Sequence, residues 1–118
     1  MSKVYNLAHR LADALKNSEQ YQRYKEIREK VMEDERQKEM LKDYQEKQIQ
    51  IQAKRMRGED VSEEEEKNLK KLQELVEMNA NIKEYLQAEY QFNMLLNDLQ
   101  KILFGDLEFG LEEENKEE

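Results

Sequence analysis

NANIKEYLQAEYQFNMLLNDLQKILF, residues 79–104, carries apolar side chains at spacings of three and four with no proline or glycine between them. Ile82, Tyr85, Leu86, Phe92, Leu95, Leu96, Leu99, Ile102 and Leu103 fall on one wide stripe if the segment is helical. A helix of roughly 25 residues is about 37 Å long at 1.5 Å per residue. So long a stripe must be buried against something.

The rest of the chain is thinly apolar. Charged residues are 41% of the 118 and hydrophobic ones 37%, against globular averages of about 25% and 45–50%. That balance suits long helices with one buried face and suits a thick core poorly. Proline is absent and glycine occurs only at 58, 105 and 110, so few positions interrupt helices. The expected fold is all-α: long antiparallel helices, an αα-hairpin plus N-terminal helices, assembling into an oligomeric bundle. Residues 1–105 read as one helical domain and residues 106–118 as an acidic, disordered tail.

Local punctuation predicts the helix boundaries. Val4, Leu7, Ala8, Leu11, Ala14 and Leu15 predict a first helix over about 3–16, interrupted by Asn17 and Ser18. Ser18 can cap a second helix with Tyr21, Tyr24, Ile27 and Val31 inward, or the two segments fuse with a kink. Asp34 followed by Gln37 resembles a capping box for a third helix with Met40, Leu41, Tyr44, Gln48, Ile51 and Met56 inward. Gly58, after Lys54, Arg55 and Arg57, stops that helix. Ser62 and Glu65 form a second capping box, and Glu63 and Glu64 favour the same helix start. Asn79 or Asn81 re-caps the chain into the long stripe unless the two helices run together, and Gly105 ends it. The short turn at 58–62 should fold its flanking helices into an antiparallel hairpin. That gives the stripe one partner, the helix before the turn, whose apolar face is too thin to cover it. The excess apolar surface predicts a seam with a second copy, through Tyr85, Phe92, Leu95, Leu96, Leu99, Ile102 and Leu103.

The net charge of −8 is mostly terminal. Seven acidic residues and Lys116 lie beyond Gly105, leaving only −2 for residues 1–105. Neither part has the basic excess of a duplex nucleic-acid binder. Lys54, Arg55 and Arg57 are the densest candidate basic patch, with Lys67, Lys70 and Lys71 close behind. Dipole compensation at a helix end explains them more simply than a phosphate site.

Chemistry is sparse. The chain has no cysteine, hence no disulfide and no thiolate ligand. Its one histidine, His9, cannot supply the paired Glu-x-x-His motifs of a di-iron bundle. Ser2, Ser18 and Ser62 sit where caps belong rather than nucleophiles. Glu63 to Glu66 read as helix-start electrostatics, and no glycine-rich phosphate loop exists. No catalytic, cofactor-binding or metal residue is expected. No stretch resembles a membrane span or a secretory h-region, so a cytoplasmic location is expected. Leu107, Phe109 and Leu111 alternate beside acids, as either a short docking segment or a disordered remnant.

Two blocks carry a family resemblance: AHRLADALKNSEQYQRYKEIREKVMEDERQKEMLKDYQEKQ, and MRGEDVSEEEEKNLKKLQELVEMNANIKEYLQAEYQFNMLLNDLQKIL. Together they resemble the YheA-type proteins of Gram-positive bacteria, within the YlbF/YmcA superfamily. The order Gly58-Glu59, Val61-Ser62-Glu63-Glu64, then Glu84-Tyr85-Leu86, Ala88-Glu89-Tyr90 and Phe92 is the specific part. The resemblance implies an all-helical, self-associating cytoplasmic protein. The YlbF and YmcA relatives it points to are adaptors in a complex that influences competence, biofilm formation, sporulation and ribonuclease-dependent RNA processing. The iron–sulfur clusters of that complex are held by cysteines, which this chain lacks. Similar proteins often place proline near the position of Glu35 and at that of Ala80. The expectation is a non-enzymatic interaction or adaptor protein, a homodimer or larger even oligomer, offering charged helical faces to a protein partner. The alternative is an accessory RNA-binding protein that works near a ribonuclease.

Overall fold

The computed structural model describes residues 2–110, in which all regular structure is helical. Five helices succeed one another: α1 (Lys3–Lys16), α2 (Glu19–Glu33), α3 (Glu35–Met56), α4 (Glu63–Met78) and α5 (Ala80–Phe104). The all-α expectation holds. The acidic-tail reading over 106–118 falls mostly on residues 111–118, outside the described residues. Residues 106–110 form an irregular turn in which the Phe109 ring meets Phe104 edge-on at 6.1 Å.

Each helix starts on a short polar side chain that accepts a backbone N–H of its first turn. Ser2 Oγ takes Val4 N–H at 3.1 Å, Ser18 Oγ takes Tyr21 N–H at 3.2 Å, and Ser62 Oγ takes Glu65 N–H at 3.1 Å. Asp34 Oδ1 accepts from both Arg36 and Gln37, and Asn79 Oδ1 accepts from Ile82 at 3.0 Å. Such caps contribute about 0.5–2 kcal/mol each. Two open points in the sequence are thereby decided. α1 and α2 are separate, because Ser18 Oγ also donates to Leu15 O at 2.6 Å and closes the first helix. α4 and α5 are separate too, with Asn79 alone between them.

Gly58 ends α3 as expected, and the reason is visible. At φ +74° it takes the left-handed conformation, so Glu59 N–H reaches Lys54 O at 2.9 Å and Gly58 N–H reaches Arg55 O at 3.1 Å. This doubly bonded arrangement satisfies carbonyls that the helix end would otherwise leave open. Gly105, by contrast, stays right-handed at φ −61°.

α4 returns antiparallel along α3: Lys54 near the end of α3 meets Glu65 in the first turn of α4, and Gln37 near the start of α3 meets Asn81 of α5, just past the end of α4. One expectation is corrected by the packing: the long stripe of α5 lies along α2, not along α3. α4 already occupies α3, and a one-residue junction at Asn79 lets the chain run on past Asp34 to reach the next helix. The whole is therefore an antiparallel hairpin bent midway in both arms.

The core sits at that bend. Val31 and Leu41 flank the Asp34 junction, Val76 and Ile82 flank Asn79, and all four are at most 2% exposed. Ile27, Tyr85 and Ala88 complete the cluster. Asp34 and Asn79 share nearly the same backbone, with ψ 111° and 112°. Gln37 and Asn81, each just past one junction, bond to each other at 3.3 Å. Outside this cluster Ile51 of α3 is also buried, at 1% exposed, but the molecule as a whole is extended: its radius of gyration is 18.8 Å, against about 13–14 Å for a compact chain of this length.

Candidate functional site

Beyond the bend, α2 covers α5 only part-way. The Phe92 ring is half-buried, stacked on Tyr24 at 5.5 Å and tilted against Tyr21 at 5.3 Å. Tyr85 lies deeper, 5% exposed, with its ring 5.6 Å from Tyr24. Its hydroxyl donates to Glu89 Oε2 at 3.0 Å and lies 3.5 Å from the Tyr24 hydroxyl. Burial, then the bonds to Tyr24 and Glu89, push the Tyr85 hydroxyl pKa well above its ordinary value. Tyr85 is thus a core residue and contributes no free surface to a seam, and Phe92 is largely engaged by α2.

Of the remaining five residues of the expected seam, Leu96, Leu99 and Leu103 line one groove toward the open end, whereas Leu95 borders a separate hollow with Glu19, Arg23 and Asp98, and Ile102 lines neither. Leu95, Leu96 and Leu99 are half-buried, while Leu103 is 51% and Ile102 75% exposed. Opposite the three groove-lining leucines runs α1, which the sequence gives a clean apolar face of Val4, Leu7, Leu11 and Leu15. No α1 residue is buried. The two faces enclose an open groove of about 620 Å³, in which those α1 residues look across at Leu96, Leu99 and Leu103. Its only polar lining residue is Gln100. Such a surface can take up apolar side chains and offers no nucleophile, base or ligand set. Sequence reasoning missed the α1 residues as one wall of this groove. Their helical spacing was legible, but nothing local says that α1 lies opposite the end of α5.

The candidate basic patch meets a different fate. Lys54 Nζ holds both oxygens of Glu65 at 2.8 and 2.9 Å, Arg55 reaches Glu66 at 3.3 Å, and Arg57 reaches Glu59 at 2.6 Å. The turn that brings the α3 C-terminus beside the α4 N-terminus pairs each base with an acid. The Lys54 bond, with help from Ser62, holds the Glu65 carboxyl below its ordinary pKa. His9 is exposed on α1. Among the described residues, no helix is long and apolar enough to cross a membrane.

Comparison with known proteins agrees with this architecture. Residues 4–108 match the family described as control of competence regulator ComK, YlbF/YmcA. A UPF0342 protein of Halothermothrix orenii is 49% identical over 96% of both chains. The UPF0342 protein YheA of Bacillus subtilis is 34% identical, over 88% of this chain and 89% of its own. A solved structure, a protein of unknown function (DUF964) from Bacillus stearothermophilus, superposes with a TM-score of 0.75 at 25% identity, covering 90% of this chain and 93% of that one. With a family match over nearly its whole length and close relatives of the same extent, this chain belongs to the YlbF/YmcA family, as a member of the YheA type.

Proposed function

We propose that the protein is a non-enzymatic, cytoplasmic helical adaptor that works as a homo-oligomer, with the open end of the hairpin as its seam. The observation that carries this reading is the groove between α1 and α5. Leucine-rich on both walls, it leaves Val4 73%, Leu103 51% and Leu7 49% exposed, and apolar area left in water forfeits about 25 cal/mol per Å². A second copy related by a two-fold axis would bring α1 and α5 of each chain together as four helices around one apolar centre. The regulatory setting of the family fits a protein that assembles and presents charged faces, without chemistry of its own. RNA binding has less support: the basic cluster that motivated it is ion-paired within the chain.

Leu99→Asp combined with Leu103→Asp should reduce the mass seen by light scattering at micromolar concentration while leaving the helical circular dichroism in place. A folded wild-type monomer at that concentration would sink the proposal.

A further inference from the structure

A second concave surface lies away from the seam, across α3 and α4. It holds about 410 Å³, and Met40, Leu72 and Leu75 give it an apolar floor. Leu75 also lines the adjoining hollow with Met78. Leu75 is 49% and Met78 83% exposed, so the apolar strip runs on into solvent. One rim is acidic. Glu35, Glu39 and Asp43 recur at intervals of four along α3, which sets them in a row on one face of the helix.

Charge is what makes this rim informative. The ion pairs among the described residues all cluster at the 54–66 turn, so none of the three carboxylates is paired. Arg36 is the only base lining the groove itself; Lys71 and Glu74 balance each other in the adjoining hollow. An unbalanced acidic row along an apolar floor selects a ligand with the opposite arrangement. Methionine side chains suit the floor to irregular apolar knobs, since they repack at low cost. A second copy makes a poor occupant, because neither residues 1–105, at −2, nor the acidic end offers a basic excess to set against this rim.

We propose that the α3/α4 groove docks a basic amphipathic helix of a partner protein, with its apolar face on Leu72, Leu75 and the two methionines and its lysines or arginines along Glu35, Glu39 and Asp43. This rests on the adaptor reading and adds the chemistry of the partner, at a surface the seam leaves free.

The test uses the full chain and a synthetic helical peptide of leucine and lysine, about 18 residues long so that it spans several turns. A second peptide has the same leucine spacing with glutamate for lysine. By fluorescence anisotropy the lysine peptide should bind, the glutamate peptide should not, and affinity should fall as salt screens the rim. Glu39→Lys with Asp43→Lys should weaken binding about tenfold or more, as loss of a complementary rim does. Leu75→Ser, at an exposed position that leaves the fold intact, should weaken it as well. Glu26→Lys with Glu29→Lys on α2, the same change in net charge elsewhere, should have far less effect.

Equal binding of both peptides would overturn the proposal, as would equal losses from the α3 and α2 charge reversals. A drop in assembly mass caused by the α3 reversals would assign the groove to a second copy and overturn it too. Binding retained by the Leu99→Asp/Leu103→Asp chain supports a site separate from the seam. Binding lost in that chain while it remains helical overturns the separation.

Discussion

The bend and the open end of this hairpin are built from the same aliphatic residue types, and they differ almost completely in what those residues do. At the bend, Val31, Leu41, Val76 and Ile82 come from four helices and exclude water within one chain. At the open end, Val4, Leu7, Leu11 and Leu15 face Leu96, Leu99 and Leu103 from only two helices and enclose a groove instead. The difference is geometric. Two one-residue junctions bring four helix ends to the same place, so each apolar face there meets more than one neighbour. Past that point there is one helix per arm, and two cylinders touch along a line that leaves most of each face in water. Composition cannot separate these outcomes; the number of helices meeting at a point separates most of them, Ile51 on α3 being buried outside the bend cluster.

The two regions should differ most when an aliphatic side chain is shortened at each place. Leu41→Ala or Ile82→Ala should cost about 2–5 kcal/mol, the range for a buried aliphatic that leaves a cavity. Leu99→Ala, in protein dilute enough to be monomeric, should cost about 1 kcal/mol or less, because its site already borders water. Urea unfolding monitored by circular dichroism measures both. Equal costs would mean that the open end is as well packed as the bend.

The buried Tyr85 hydroxyl gives the bend a pH signature that the open end lacks. Its folded pKa is raised above the ordinary 10.0. The unfolded chain therefore releases this proton first, so stability is full below pH 10 and falls as pH rises toward the folded value. The loss should approach about 1.4 kcal/mol per pH unit above the ordinary pKa, one proton's worth. Tyr85→Phe should flatten that alkaline limb in denaturation measured from pH 9 upward.

Smaller effects are expected at the junctions that create the bend. Asn79→Ala removes the bond to Ile82 N–H and should lower stability by about 1 kcal/mol. Smaller still, and of opposite sign, is Ala80→Pro. Ala80 is the first residue of α5, where a missing N–H costs nothing. The preceding Asn79 already has the extended backbone that proline demands of its neighbour, at ψ 112°. The substitution should stabilise by about 0.4–1 kcal/mol, and Glu35→Pro after Asp34 should do the same. A loss of stability in either thermal melt would contradict this junction geometry.

The helix boundaries were legible because each is decided within a few residues. Ser18, Asp34, Ser62 and Asn79 cap the helices that begin after them, and Gly58 stops the one that precedes it, all through contacts between near neighbours in the chain. The apolar spacing on α5 was equally plain. Its assignment to one seam was not, since the first half of the stripe is covered by α2 from the same chain. Tyr85 and Phe92 read like Leu99 and Leu103 in sequence; only the position of Tyr24, some sixty residues away, tells them apart. The basic cluster misled in the same way: Lys54, Arg55 and Arg57 gain their carboxylates from beyond the Gly58 turn.

Residue order was thus enough to set the helices, their ends, the hairpin turn and the presence of more apolar surface than thin helices can hide. These depend on local hydrogen bonding and on a 3.6-residue period, both of which act along the chain. Where that surface is buried and where it is left open was decided by the tertiary structure alone. Burial depends on how many helices meet at a point in space, and here that number is set by two single-residue junctions, forty-five positions apart, folding to the same place.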